Sequence, residues 1–218
     1  MSEETPAKVA PIAQVVDRVL ALGMFVELDR LFAALFGIPA DALTERRVKR
    51  LTRIQEMREQ KAALLGVKEP KALPEKVAQE VLTGAAVEED EDMQELWANL
   101  LANHDAGMEI NSFLVDLLKK LDGRTAKVLL YFWDKAEAVR PELAKATDRE
   151  SWLQIGRKRF ITDGELKEQV SRDWAVAERV RLQAMGLVAH IPTATEAVYY
   201  VLHEIGVMLC KALVGPKA

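Results

Sequence analysis

The sequence predicts a mainly α protein: a helical bundle followed by a winged helix-turn-helix-like unit with one small β-hairpin. Three observations carry that expectation. Of the 218 residues, 50% are hydrophobic and 29% charged, with only 11 Gly and 8 Pro, a composition that favours helix. Apolar residues recur at helical spacing through most of the chain. Near the end the period changes: Leu187 to Ile191 and Val198 to Leu202 read as two short strands, with Pro192-Thr-Ala-Thr195 as the turn between them.

Taken in order, residues 1–8 read as frayed. Two amphipathic stretches follow, one marked by Ile12, Val15, Val16, Val19 and Leu20 and the other by Met24 to Phe36. A bilayer span needs about 20 apolar residues almost free of charge. Asp17, Arg18, Glu27, Asp29 and Arg30 interrupt this one, and the polar face has too few cations for an anionic membrane surface. Gly37-Ile-Pro39 breaks the pattern. Thr44 can cap a helix to about Leu65, stopped by Gly66. Val48, Leu51, Ile54, Ala62 and Leu65 mark its buried side, and Arg46, Arg50 and Arg53 form a basic stripe on another.

Pro70 and Pro74 delimit the next stretch, and Pro74 suits a first helical turn. Leu73, Val77, Val81 and Ala85 give its apolar stripe. Five acids, Glu88, Glu89, Asp90, Glu91 and Asp92, then lead into a helix whose face is Met93, Leu96, Trp97, Leu100 and Leu101. Acids there suit the positive end of the helix dipole. His104-Asp105-Ala106-Gly107 ends the helix, with His104 and Asn103 read as capping residues rather than a pocket lining. Asn111 or Ser112 caps a further helix carrying Leu114, Leu117, Leu118 and Leu121.

The acidic run with its Leu-Trp-Ala-Asn-Leu-Leu-Ala-Asn sequel, Leu96 to Asn103, resembles the abortive-infection alpha family of bacterial proteins. The resemblance covers roughly residues 40–213 and is strongest over 70–122. It implies a role in phage defence, in which an infected cell halts growth before phage spread. It carries Glu88 to Asp92, Leu96, Trp97, Asn99 and Asn103 with it, and no reaction.

After the Asp122-Gly123 turn, Ala126, Leu129, Leu130, Trp133 and Ala136 share a face, and Val128, Tyr131 and Phe132 extend it almost all round, as in a buried helix. Thr147 with Glu150 and Thr162 with Glu165 fit the S/T-x-x-E capping box. Asp173 is placed to cap a helix ending at Met185, and a last helix runs from about Glu204 to Leu213. Helix, helix, helix, hairpin, helix is the winged-helix order. The stretch Gly186-Leu187-Val188, followed by the tyrosine-bearing strand at Tyr199 and Tyr200, resembles the wing of such domains. The expected parts are 1–69, 70–122 and 123–218.

Charge and chemistry bound the function. Net charge is −4, but residues 44–69 carry 8 basic and 4 acidic groups while 70–122 carry 4 and 12. No concentrated basic face emerges, which argues against bulk nucleic-acid affinity. The acidic run and the basic helix are natural counterparts, so Glu88 to Asp92 with Arg46, Arg50 and Arg53 form the expected protein-contact set. The DNA alternative rests on Arg157, Lys158 and Arg159 before the turn, and on Arg179 and Arg181 exposed on the would-be recognition helix. His104, His190 and His203 lack metal-ligand spacing, and no nucleophile motif occurs. No cofactor, metal, catalytic residue or small-molecule substrate is expected. One cysteine, Cys210, and a start without a basic leader fit a cytoplasmic protein. Three readings result: a non-enzymatic, self-associating or partner-binding defence protein; a winged-helix DNA-binding regulator; a cryptic nuclease or toxin.

Overall fold

The computed structural model describes residues 42–170, 174–191 and 199–214, leaving out the side chains of 42–46, Val48 and Trp152. Described residues form helices α1 (Ala42–Leu64), α2 (Glu75–Val87), α3 (Glu91–Asp105), α4 (Ser112–Lys120), α5 (Gly123–Lys145), α6 (Arg149–Arg157), α7 (Asp163–Val170) and α8 (Trp174–Ala184), strands β1 (Val188–Ile191) and β2 (Tyr199–Leu202), and α9 (Glu204–Leu213). Among the described residues the protein is mostly helical with a single antiparallel hairpin, as the composition and periodicity predict. The helices expected over 9–36, the break at Gly37–Pro39, the Asp173 cap and the wing turn at Pro192–Thr195 lie outside the described residues. No described helix is long and apolar enough to cross a membrane.

The chain gathers into two compact units, one containing residues 42–119 with 212–214 and the other 120–211. Thus α1 belongs with α2 and α3, not to a separate part ending at residue 69. The reason is packing: α1 lies along α3, burying Ile54 and Ala62.

In the first unit α3 is the centre. Met93, Leu96, Trp97, Leu100 and Leu101 are buried as predicted, but so are Gln94, Ala98, Asn99, Ala102, His104 and Asp105. Only Glu91, Asp92 and Glu95 are exposed, all in its first half; from Leu96 to Asp105 the helix is buried nearly all round, as a core helix rather than an amphipathic cover. Asp90 is its N-cap, accepting from the backbone N–H of Asp92 and Met93 at 2.9 and 3.2 Å. At its end, Gly107 takes φ 104°, its N–H bonds the His104 carbonyl, and that of Met108 bonds the Asn103 carbonyl. This Schellman closure needs a left-handed residue, which glycine supplies without a Cβ clash. The same bonds close α1 at Gly66, where the sequence placed the stop, although α1 begins two residues before Thr44. Pro74 stands at the N-cap position of α2 without a side-chain capping bond; Leu73 just before it and Val77, Val81 and Ala85 along it are buried. The Trp97 ring presses on Gly84, where an added Cβ would lie 2.8 Å from the ring. Asn111 caps α4 by accepting from the Leu114 N–H at 3.0 Å.

In the second unit Asp122 caps α5, accepting from the Thr125 N–H at 2.9 Å. At α6 the cap is Asp148, one residue after the predicted Thr147: it accepts from Ser151 N at 2.8 Å and Ser151 Oγ at 2.6 Å. A carboxylate outcompetes the preceding threonine for that role. Thr162 does cap α7 through Glu165 N at 3.1 Å. The box is only half made, because the Glu165 carboxylate reaches α5 instead, accepting from Tyr131 Oη at 3.0 Å and pairing with Lys135 Nζ at 2.7 Å. Burial, then this carboxylate, pushes the Tyr131 hydroxyl pKa well up. The hairpin pairs Val188 with Leu202 and Ile191 with Tyr199, and Ile161 adds a bridge to Tyr200. The helix order and hairpin are compatible with a winged helix.

Candidate functional site

The sequence of α1 writes two stripes on one helix. Positions 54, 55, 58 and 62 turn inward: Ile54, Gln55, Arg58 and Ala62 are all buried. Positions 50, 53, 57, 61 and 64 recur every three or four residues beside them, and three of these are cations. Arg50 Nη2 pairs with Glu89 at 2.5 Å and its Nη1 donates to the Ala86 carbonyl at 3.4 Å. Arg53 pairs with Glu91 at 2.5 Å and Lys61 with Glu95 at 2.8 Å. The Arg46 side chain lies outside the described residues.

The acidic run therefore divides by task. Glu88 accepts from the Asp90 N–H at 3.0 Å, and its carbonyl accepts from Gln94 Nε2 at 3.0 Å. Asp90 caps α3. Glu89 and Glu91 reach across to α1 while keeping 79% and 70% of their side chains exposed. The hydrogen bond and charge of Arg53 hold the Glu91 carboxyl below its ordinary pKa, and the same hydrogen bond raises that of Arg53. Exposed pairs of this kind add little to stability. They set register more than stability.

One pair is of another kind. Arg58 Nε and Nη2 clasp Asp105 at 2.6 Å each, with side-chain exposures of 2% and 1%. Asp105 also accepts from the Lys71 N–H at 3.0 Å, and Arg58 Nη1 donates to Gln55 at 3.3 Å. A cavity of about 160 Å³ adjoins them, walled by Ala62, Ala63, Val67 and Pro70. Its polar end is satisfied internally. Sequence reasoning missed Arg58, although a signal existed: it sits four residues after Ile54 and four before Ala62, a cation on the apolar stripe. Asp105 reads in the sequence only as part of a helix end beside His104. His104 does serve that end, with Nδ1 2.9 Å from the Met108 carbonyl and Nε2 3.4 Å from that of Ala72.

The cations expected to meet DNA are placed unevenly. Arg179, expected to be exposed on α8, is buried instead. It forks onto Asp163 at 3.1 and 3.0 Å, donates to Gln183 at 3.0 Å, and lies 3.9 Å from the Tyr200 ring centroid. The correction has a physical cause: a guanidinium is satisfied in the interior when a carboxylate and an aromatic face meet it together. Arg181 is half-exposed and tied to Asp122 at 2.6 Å and the Lys120 carbonyl at 2.8 Å. Arg157 and Lys158 are exposed at the end of α6, Lys158 pairing with Glu142 at 2.6 Å, and half-buried Arg159 donates from Nε to the Gly156 carbonyl at 3.4 Å. Among the described residues no cluster of three or more His, Cys, Asp or Glu could hold a metal.

Residues 49–205 match the model of a family described as abortive infection alpha. The chain belongs to the abortive infection alpha family. Membership points to abortive infection, that is, defence against phage. No curated protein and no solved structure matches the chain. The abortive infection alpha match takes in most of α1, the acidic run, α3 and the hairpin. The residues that carried the resemblance divide: Glu89 to Asp92 are exposed, whereas Leu96 and Trp97 are buried, Trp97 to 1% exposure, Asn99 is buried with an unpartnered Oδ1, and half-buried Asn103 donates to the Ala212 and Val214 carbonyls at 2.9 and 3.1 Å.

Proposed function

We propose that this abortive infection alpha protein defends the cell without catalysing a reaction, through protein–protein contacts made on the charged seam of α1 and α3. It works in the cytoplasm, with a protein partner or another copy of itself, and needs no cofactor. The observation that carries this reading is the seam itself. Glu89, Glu91 and Glu95 are ion-paired yet 79%, 70% and 56% exposed, and Arg53 is 46% exposed. Such pairs rearrange toward a partner at little cost. The buried charges are already matched, Arg58 and Asp105 by each other and Arg179 by the half-exposed Asp163. The alternative, a winged-helix regulator reading duplex DNA through α8, is weakened by the burial of Arg179.

The test is a Glu89→Lys, Glu91→Lys variant, shown by circular dichroism to remain folded. It should lose protection in a phage plating assay. Full protection at equal expression overturns the proposal.

A further inference from the structure

A second surface lies on the other unit. Arg157, Lys158 and Arg159 follow one another at the end of α6, and Phe160 comes next. The Phe160 ring lies 6.0 Å from that of Tyr199, tilted by 46°, and both side chains are half-exposed. The sequence separates these rings by 39 positions. The fold brings them near because Ile161 forms an antiparallel bridge with Tyr200, with reciprocal backbone bonds of 3.0 and 2.9 Å, and Phe160 and Tyr199 are the chain neighbours of the bridged residues.

Among the described residues, the acids on the neighbouring helices do not cancel the cations. On α7, Asp163 is taken by Arg179, and Glu165 by Tyr131 and Lys135. Glu142 holds Lys158, but that pair is exposed on both sides, at 56% and 50%, so a phosphate can replace the carboxylate with little loss. Glu150 sits in the first turn of α6, roughly 10 Å along the axis from Arg157 at about 1.5 Å per residue.

We infer that Phe160 and Tyr199, flanked by Arg157, Lys158 and Arg159, form a binding platform for single-stranded nucleic acid. Half-exposed rings take stacked bases, whose faces are sequence-independent, while adjacent cations meet the phosphates. Duplex fits less well, since its bases are already stacked and the α8 arginines are committed elsewhere. This inference stands apart from the protein contacts of the α1–α3 seam.

The experiment is fluorescence anisotropy of the full-length protein with labelled oligo-dT, oligo-U and a duplex of equal length, at low and moderate salt. Single strands should bind more tightly than duplex. Phe160→Leu with Tyr199→Leu should weaken binding by about tenfold or more, with the salt slope unchanged. Arg157→Gln should lower that slope by about 0.7. Thermal melts of both variants establish that they are folded. Absence of single-strand binding at low salt, equal or tighter duplex binding, or folded variants that bind like the parent would each overturn the inference.

Discussion

At the scale of the residue, Arg58 and Asp105 decide the most. A bidentate pair buried this deeply contributes less to net stability than its geometry implies, because both ions were taken out of water. Removing one partner is different, since it strands a charge. Asp105→Ala should therefore destabilise the protein by about 3–5 kcal/mol in urea unfolding, whereas Arg58→Met with Asp105→Leu together should cost far less. Equal losses for the two variants would mean that the pair has some role beyond mutual neutralisation. Cys210 supplies a second residue-scale expectation. It is fully buried, and burial, with Asp134 nearby, pushes its thiol pKa well up. Thiolate is the reactive form, so alkylation at neutral pH should await unfolding; rapid labelling of the folded protein would contradict this placement.

At the scale of the element, close packing and capping set what each helix tolerates. Gly84→Ala drives a methyl into the Trp97 ring and should cost about 1–3 kcal/mol; a melting temperature equal to the parent's would show that α2 can shift aside. The α5 cap gives a pH dependence. Burial alone would raise the Asp122 pKa, but hydrogen bonds from Thr125 and Arg181, with the Arg181 charge, outweigh it and hold it below 3.8. A carboxyl depressed in the folded state stabilises above its unfolded pKa and loses that contribution as pH falls through the folded one. Asp122→Ala should thus cost about 0.5–2 kcal/mol at neutral pH, and the difference from the parent should shrink progressively as pH falls through the ordinary aspartate range toward the lowered folded value.

At the scale of the whole molecule, what was legible in the sequence followed periodicity. The stripes at Val77, Val81, Leu114 and Leu118 are buried, the stops at Gly66 and Gly107 hold, and α9 has the bounds that its pattern predicted. Local signals failed where tertiary partners compete. Glu165 left its capping box for Tyr131, and Arg179 went inward because Asp163 and Tyr200 meet there. Arg58 was hidden because a single helix cannot show that a cation on its apolar face has a carboxylate 47 positions away. The acidic run was legible as a counterpart of the basic helix. The division of its five acids between capping and pairing was not, because that depends on where α2 ends.

On the proposed reading, the charges of this abortive infection alpha protein build and dock rather than catalyse. Its most direct test is phage plating on cells expressing the Arg58→Met, Asp105→Leu protein, matched to the parent in abundance and melting temperature. Undiminished protection is the predicted result. Loss of protection in a folded, equally abundant protein would place chemistry at the buried pair and contradict the account.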